Sequence, residues 1–569
     1  MSDLGKVVFT QTPAQGPRPS VAIFGGGIAG LTVAHELITR GYNVTVYESS
    51  SAVGGFFRSS REPETNTPSE YSWHGMGPWY HNTFDLLHRI PFDDGGSIFD
   101  RALSRPIDFG IFPNETTAHF YDGSWSSIRK MFRWSPVEFV RWGWLMLKTW
   151  TAHRRSEEHY AKINAADAWS KKLSPTGLQT WRSCFGPWIG SDWTKVSLHT
   201  GGQFFCKQLT SQPPHVHHSD EHGSLWLHGA GSGWLLFKGP SSDYWFSRWV
   251  RFLEDKGASI VLSSPLAKLE YDGKKITGAV LASDKRIEAD YFVLATNPFA
   301  AAEVISREPR LSAIDELRLF GPLIQDGPHT QVSFRIAFSE HVKLPRPRTA
   351  AVLADSPFNL TLFAQEQVWD KNVSLGEGMR SLWTGTSCVG NNPGKLFGLP
   401  VTRCSKEQFV EEVREQIYAC KALDEMVRQA NGGRSLKDFK IVRFEAWHEW
   451  KFQANGIKPE QPKWVNTTHT QPFQPRQKTP VPNLFLAGAH TRTEADVWSI
   501  EAAVESGRRA AQAINKHVNV LPQHRPWLCR LIGSIDDLFY RAGGPHALDV
   551  LLWVTVISIG VGIALAFRG

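Results

Sequence analysis

The stretch VAIFGGGIAGLTVAHEL, residues 21–37, combines an apolar run with three spaced glycines. Val21–Phe24 suits a short buried parallel strand, and the glycines follow it at G-x-G-x-x-G spacing. Gly25 permits a tight turn, Gly27 lets the backbone approach a pyrophosphate, and Gly30 allows a helix to pack closely on the strand. The stretch therefore predicts a phosphate cradle between a strand and a helix.

Leu31–Arg40 is predicted to be the helix after the cradle, and the free N–H groups and partial positive charge at its N-terminus favour phosphates. A second strand, Asn43–Tyr47, ends in Glu48. An acid there suits a ribose 2′-hydroxyl and repels a 2′-phosphate, which argues against NADP. A glycine-rich turn that binds nothing is the alternative. The order strand, turn, helix, strand and acid favours a dinucleotide site, with nicotinamide and flavin both still open.

Composition limits the class of protein and its partners. With 569 residues the chain exceeds what one core usually holds, so we expect at least two lobes. The net charge of +7 favours anionic partners, either nucleic acid or a membrane surface. We find no nucleic-acid motif, and therefore expect the membrane and no nucleic acid. Six dispersed cysteines without C-x-x-C indicate a reducing compartment rather than disulfides or a cysteine-rich metal site.

The C-terminus predicts a membrane anchor. The run 550–567 carries no charged residue, close to the ~20 residues that span a bilayer. We expect a single-pass transmembrane tail with the catalytic body on the cytosolic side; a buried C-terminal helix is the alternative. A second stretch, Pro136–Arg155, is rich in Trp and basic residues. It predicts either an interfacial helix or a helix that closes the substrate pocket.

Two further motifs decide between the cofactors. Gly54 and Gly55 form a second glycine pair shortly after Glu48, and PVPNLFLAGAHTRTEADVWSIEAAVESGRRAAQAIN occupies residues 480–515. With the cradle, these motifs resemble the FAD-dependent amine oxidase and carotenoid desaturase superfamily. The resemblance implies a resident FAD in a discontinuous Rossmann-like α/β lobe, beside an α+β substrate lobe. The cofactor-binding residues that we predict are Gly25, Gly27, Ile28, Ala29, Gly30, Glu48, Gly54, Gly55, Arg58, Leu266, Gly488, Ile500 and Glu501.

Two residues depart from the superfamily pattern. Ala489 stands where the family usually has an acid after the glycine, and Phe56 stands where it has Lys or Arg after the glycine pair. The missing acid is expected to weaken FAD binding, unless His490 substitutes for it.

One stretch resembles a particular branch of the superfamily. Glu70, His74, Tyr80 and Asn82 fall at the E-x-x-x-H-x-x-x-x-x-Y-x-N spacing of plant-type phytoene and ζ-carotene desaturases, where this stretch runs beside the flavin. His74 and Tyr80 are therefore candidate catalytic residues. Trp447, just before the closing motif, is a third candidate, because aromatic rings there would wall the flavin face; ordinary packing explains it equally well.

These motifs divide the chain into segments. The predicted segments are a flexible lead-in (1–20), the FAD lobe (21–110, 246–300 and 441–520), the substrate lobe (111–245 and 301–440), a linker (521–546) and the transmembrane tail (547–567).

The sequence predicts an enzyme that removes hydrogen from an apolar lipid or isoprenoid by hydride transfer to the flavin. Its electrons would pass to oxygen, a quinone or a soluble carrier. Three alternatives remain: an amine oxidase, which would need an aromatic cage and usually a lysine near the flavin; a redox-neutral flavin isomerase of polyunsaturated lipid; and an inactive flavin-binding membrane scaffold. We expect no metal, since the HVHH run at 215–218 suits an exposed loop better than a metal site.

Overall fold

The computed structural model describes residues 18–566, except 72–73, 94, 105–108, 121–128, 131, 180, 182–192, 212–233, 346–348, 354, 455 and 460. The HVHH run at 215–218 and most of the predicted lead-in lie outside the described residues.

The strands of the described residues lie in two large and three small sheets. In chain order they are β1 (Ser20–Phe24), β2 (Asn43–Tyr47), β3 (Ser59–Arg61), β4 (Pro68–Glu70), β5 (Phe109–Asn114), β6 (Thr117–Phe120), β7 (Ser259–Val261), β8 (Leu266–Tyr271), β9 (Ile276–Leu281), β10 (Arg286–Ile287), β11 (Tyr291–Leu294), β12 (Ser333–Phe338), β13 (Ala350–Leu353), β14 (Leu360–Ala364), β15 (Ser381–Ser387), β16 (Ile441–Ala446), β17 (Trp450–Gln453), β18 (Gly456–Pro459) and β19 (Leu484–Leu486).

The α-helices of the described chain vary from one turn to more than five. They are α1 (Ile28–Ile38), α2 (His81–His88), α3 (Ile98–Ala102), α4 (Pro136–Trp150), α5 (Arg154–Glu158), α6 (Ala165–Ser170), α7 (Leu198–Thr210), α8 (Ser247–Asp255), α9 (Pro298–Ser306), α10 (Pro309–Ser312), α11 (Phe320–Leu323), α12 (Lys406–Ala419), α13 (Lys421–Ala430), α14 (Ile500–Ile514), α15 (Trp527–Arg541) and α16 (Ala547–Ala566).

The first large sheet is parallel and has the order β19-β11-β1-β2-β7. Because side chains alternate along a strand, β1 serves two layers. Val21 and Ile23 pack with α1 and α14, whereas Ala22 and Phe24 face the meander β8–β10. Buried on both faces, the strand needs the continuous apolar run that its sequence shows. This α/β layering confirms the predicted Rossmann-like lobe.

The second large sheet has the order β16-β12-β15-β14-β13-β5-β6, and its pairs are antiparallel except β13 with β5. On β12, Phe334, Ile336 and Phe338 belong to a core shared with α12 and α13. The alternate residues Ser333 and Arg335 therefore lie on the opposite face of the sheet.

The helices that lie between β6 and β7 in the chain contain an aromatic core. Trp142 of α4 lies 5.3 Å from Trp181 and 5.7 Å from Phe205 of α7, centroid to centroid. Helix α4 buries one face there and exposes Val137 and Val140 on the other. Part of the high tryptophan content is thus core packing.

The predicted transmembrane tail, and with it the single-pass membrane location, is wrong. Within residues 18–566 as described, no helix is both long enough and apolar enough to cross a bilayer. Helix α16 occupies this segment, but its first turn carries Asp549, which is tied to α4. The carboxylate of Asp549 accepts hydrogen bonds from Lys148 Nζ at 2.5 Å and Trp144 Nε1 at 3.2 Å. The expected linker 521–546 contains α15, whose buried Asp536 pairs with Arg155 at 2.9 Å.

Candidate functional site

A Cβ added to each glycine of the cradle would meet different surroundings. A Cβ on Gly25, where φ is +112°, would lie 2.5 Å from the carbonyl oxygen of Ala295. A Cβ on Gly30 would lie 1.9 Å from the carbonyl oxygen of Gly25, so a side chain there would separate helix from strand. At Gly27 the nearest atom to an added Cβ is the Cα of Gly55 at 3.9 Å. A side chain at Gly27 would therefore fill free space rather than meet the protein.

That free space is a cavity of about 810 Å³. It lies where β1, β11 and β19 end, the edge at which open α/β sheets bind ligands. Its volume is within the ~300–1,000 Å³ range of ligand sites. The predicted residues that line it are Gly25, Gly27, Ile28, Ala29, Glu48, Gly54, Gly55, Arg58, His74, Tyr80, Leu266, Gly488 and Ile500.

Glu48 is buried and its carboxylate already binds the cradle. One oxygen accepts a hydrogen bond from the backbone N–H of Gly26 at 2.6 Å, and the other accepts from the N–H of Ser50 at 2.8 Å. Glu48 thus stiffens the turn in addition to the ribose contact that we predict for it.

Glu501 lies outside the cavity lining, although the sequence predicts it as a cofactor contact. Its buried carboxylate accepts hydrogen bonds from the backbone N–H groups of Asn82 and Thr83, at 3.0 and 2.9 Å, where α2 begins. A carboxylate at a helix N-terminus satisfies N–H groups that lack intrahelical partners. In this structure Glu501 therefore joins α14 to α2.

Five buried polar atoms of four residues in the cavity wall have no hydrogen-bond partner among the described residues: Arg58 Nη1, Tyr71 Oη, Thr296 Oγ1 and both ring nitrogens of His74. Buried polar groups are nearly always paired, so these atoms indicate a polar ligand that is not protein. Together with the open cradle at Gly27, they fit a dinucleotide flavin. The predicted residues that line the cavity would hold it.

Arg58 has a partner that sequence reasoning missed. Its Nη2 lies 2.7 Å from Oε2 of Glu449, and both side chains are largely buried. Glu449 lines the cavity, whereas nearby Trp447 does not. The indole of Trp447 donates to Ser60 Oγ at 3.3 Å and meets the ring of Tyr71 edge-on at 5.4 Å. Trp447 therefore packs against Tyr71, which lines the cavity, without reaching the cavity itself.

His74 and Tyr80 both line the cavity. The His74 ring stacks on Phe57 with centroids 3.8 Å apart, and its Nδ1 lies 3.3 Å from Glu70 Oε2. Burial raises the pKa of Tyr80 above its usual range, so its phenol stays neutral at physiological pH.

The two departures from the superfamily pattern lie in the cavity wall. Phe56 meets Tyr71 and Trp498 edge-on at 5.1 and 5.6 Å, and the three form an aromatic wall. His490 follows Ala489 and is buried; burial lowers its pKa to about 3. A neutral imidazole can form hydrogen bonds but cannot supply the negative charge of the missing acid.

Lys463 is a second residue that the sequence did not reveal. It lines the cavity, only 1% of its surface is exposed, and its Nζ donates to Gln331 Oε1. The ammonium lies 4.4 Å from the centroid of the Trp498 ring. Burial lowers its pKa to about 7. A single lysine after a proline gives no periodic or motif signal, so only the folded chain identifies it.

These features define a flavin-dependent oxidoreductase. Residues 28–515 match the family of flavin containing amine oxidoreductases. The chain therefore belongs to that family, and FAD is its cofactor. The superfamily, the cofactor and the enzyme class predicted from sequence are confirmed.

Named relatives fall in the same superfamily. A zeta-carotene desaturase of Zea mays is 35% identical over 545 residues, covering 88% of this chain and 84% of that protein. Its counterpart in Arabidopsis thaliana is 22% identical over 540 residues, covering 88% and 86%. The solved structure of putrescine oxidase bound to putrescine has a TM-score of 0.56 and 13% identity, covering 88% of this chain and 100% of that one. At that identity it shows the fold alone.

Proposed function

We propose that this chain is an FAD-dependent dehydrogenase of an apolar isoprenoid or lipid. The observation that carries the proposal is the aromatic wall of Phe56, Tyr71 and Trp498 in a cavity of about 810 Å³. Such rings suit an apolar chain and give it a large contact area. The zeta-carotene desaturases among the relatives support the same substrate class.

The charged groups of the cavity support an uncharged substrate. Arg58 is matched by Glu449, and His74 lies beside Glu70. Burial lowers the pKa of Lys463 to about 7, so about half of its amine is neutral at physiological pH. Each cation is thus paired or weakened, whereas a charged substrate would need an unmatched counter-charge.

FAD, when bound, accepts two electrons as a hydride equivalent. The chain itself binds the apolar substrate against the aromatic wall, excludes water and keeps Tyr80 neutral. We also propose that the electrons then pass from the protein to oxygen, a quinone or a soluble carrier.

An anaerobic reduction assay tests this function. The purified holoenzyme is mixed with polyene hydrocarbons, fatty acyl chains and small amines, and the flavin absorbance is followed. We expect bleaching with an apolar polyene or acyl chain, and mass spectrometry should find a product lighter by two hydrogens. Bleaching by amines alone would reject the apolar substrate, and no bleaching by any class would favour the scaffold. Product of unchanged mass would identify the isomerase.

Amine oxidation is the second candidate, and one observation favours it. Lys463 lies beside Trp498 and within 6.0 Å of the ring of Tyr71. This combines the lysine and the aromatic rings that an amine oxidase would need. Hydrogen peroxide formed with small amines in air, and none with polyenes, would make this the function.

We also propose that a bilayer surface supplies the substrate, without any spanning segment. Helix α15 exposes Trp527, Leu531 and Leu538 on one face, at 69%, 52% and 66% of their surface. Arg530 and Arg541 belong to the same helix, and the chain as a whole carries a net charge of +7. An apolar face beside basic residues is typical of interfacial helices that bind anionic lipid.

A further inference from the structure

Lys463 has properties that hydrogen removal from a hydrocarbon does not require. It is buried, it faces a cavity large enough for a small molecule, and its amine is held among aromatic rings. We propose that Lys463 is a carbonyl-binding site, whose amine forms a reversible imine with an apolar aldehyde or ketone in the cavity. This goes beyond the proposed function and shares only the cavity with it.

The position of the amine is fixed at both ends of the residue. The backbone carbonyl of Lys463 accepts a hydrogen bond from the N–H of His329 at 2.7 Å. At the other end, Nζ donates to Gln331 Oε1 and lies over the indole of Trp498. A neutral amine can donate one proton to an amide oxygen and still keep its lone pair for a carbonyl carbon. The amine is thus held in place and remains nucleophilic.

The environment favours the neutral amine. Burial lowers the pKa of Lys463 to about 7, while the nearby Cys388 acts in the opposite direction. At pH 7 about half of such amines are neutral, against roughly one in two thousand for a lysine of ordinary pKa near ~10.4. Desolvation of a lysine in an apolar pocket is a known route to an amine that reacts with carbonyls.

The reaction balances without any added reagent. Nζ forms a bond to the carbonyl carbon, and the carbonyl oxygen leaves as water with the two protons of the neutral amine. A C=N bond replaces the C=O bond, and nothing is oxidised or reduced. The aromatic wall holds the rest of the apolar molecule, and exclusion of water favours the imine over its hydrolysis.

Reductive trapping tests the proposal on the full-length holoenzyme. Farnesal, an isoprenoid aldehyde, is added with sodium cyanoborohydride at pH 7, and the labelled peptides are mapped by mass spectrometry. We expect a single fast adduct at Lys463. The neutral fractions given above correspond to a rate about a thousandfold higher than at an exposed lysine of ordinary pKa. Lys458, which is exposed, is the residue for comparison.

Two variants and a competitor complete the test. Lys463→Met should abolish the fast adduct, and Lys458→Met should leave it unchanged. Should Lys463→Met lose its fold, the wild-type protein still decides the matter, because excess farnesol should block the adduct by filling the same cavity. Labelling of exposed lysines at equal rates, with Lys463 unlabelled or unprotected by farnesol, would overturn the proposal. Labelling is measured without turnover, so a failure of polyene dehydrogenation appears only in the flavin bleaching assay.

Discussion

Arg58 and Glu449 lie 391 residues apart in the chain, yet their side chains meet 2.7 Å apart in the cavity wall. Both are largely buried, so the attraction between them is weakly screened. The pair joins the segment after the second glycine pair to the segment between β16 and β17. It therefore ties the segment after the second glycine pair to the edge of the seven-stranded sheet.

The first prediction concerns this pair. Glu449→Gln leaves a buried guanidinium without its counter-charge, and we expect the free energy of unfolding to fall by about 3 kcal/mol. The double variant Arg58→Met with Glu449→Leu removes both charges and should recover most of that loss. Glu270→Gln breaks the more exposed pair with Arg286 and is the control, with little expected effect. Urea unfolding of the holoenzyme measures all of these, and equal losses in Glu449→Gln and Glu270→Gln would contradict the assignment.

A second prediction separates the roles of the cradle glycines. Gly27 has an ordinary φ of −74°, and a Cβ there meets no atom closer than 3.9 Å. Gly27→Ala should therefore fold, and Gly27→Val should lose FAD because its side chain occupies the space of the pyrophosphate. Gly30→Ala should instead destabilise the fold through its clash with the backbone of Gly25. Gly143→Ala, which meets nothing within 4 Å, is the control. Flavin absorbance and circular dichroism report the two effects, and full flavin content in folded Gly27→Val would remove Gly27 from the site.

The third prediction concerns Glu48. Glu48→Ala should weaken FAD binding by ~1.5–3 kcal/mol, the value of a hydrogen bond to a charged group. The apoprotein should lose stability as well, because the N–H groups of Gly26 and Ser50 lose their acceptor. Glu48→Gln keeps one acceptor oxygen. Its FAD affinity and its stability should therefore lie between those of the wild type and those of Glu48→Ala. Titration of apoprotein with FAD measures the affinity, and an unchanged affinity in Glu48→Ala would show that the ribose binds elsewhere.

The sequence reveals those parts of the site whose signal is local. The cradle glycines lie within six residues of each other, so their spacing alone predicts the turn, and the structure agrees. Glu449 and Lys463 cannot be found from such local spacing, because their hydrogen-bond partners are distant in the chain. These partners are Arg58 and Gln331, respectively. The number of intervening residues carries no information about which side chains the fold brings together.

Long-range contacts set the surroundings of both Glu501 and the C-terminal apolar run. Glu501 belongs to the closing motif, but its carboxylate accepts a hydrogen bond from Thr83 at the start of α2, 418 residues earlier in the chain. The C-terminal apolar run suggests a bilayer span. The first turn of its helix, however, contains an aspartate that accepts a hydrogen bond from Lys148, 401 residues away. In both cases a long-range contact decides the role of a residue whose local sequence points elsewhere.

A fourth prediction tests contact with a lipid surface. Leu531→Asp places a charge on the exposed apolar face of α15 and should lower binding to anionic vesicles. Leu396→Asp changes a residue of similar exposure, 53%, in another part of the chain and should bind like the wild type. Cosedimentation with vesicles of anionic phospholipid measures both. Equal binding by the two variants would mean that α15 is not the lipid contact.

The last prediction follows from the pKa of Lys463, which burial lowers from 10.5 to about 7. Between these values the unfolded chain binds a proton that the folded chain does not, so the free energy of unfolding should rise with pH. The penalty is absent above pH 10.5 and complete below about pH 7. Relative to Lys463→Met, which has no such proton, the wild type should gain roughly one kcal/mol per pH unit within this window. Denaturant unfolding of both proteins from pH 7 to pH 10 measures the difference. Parallel stability curves for the two proteins would show that Lys463 keeps an ordinary pKa, and would also remove the pKa support for its role as a carbonyl-binding amine.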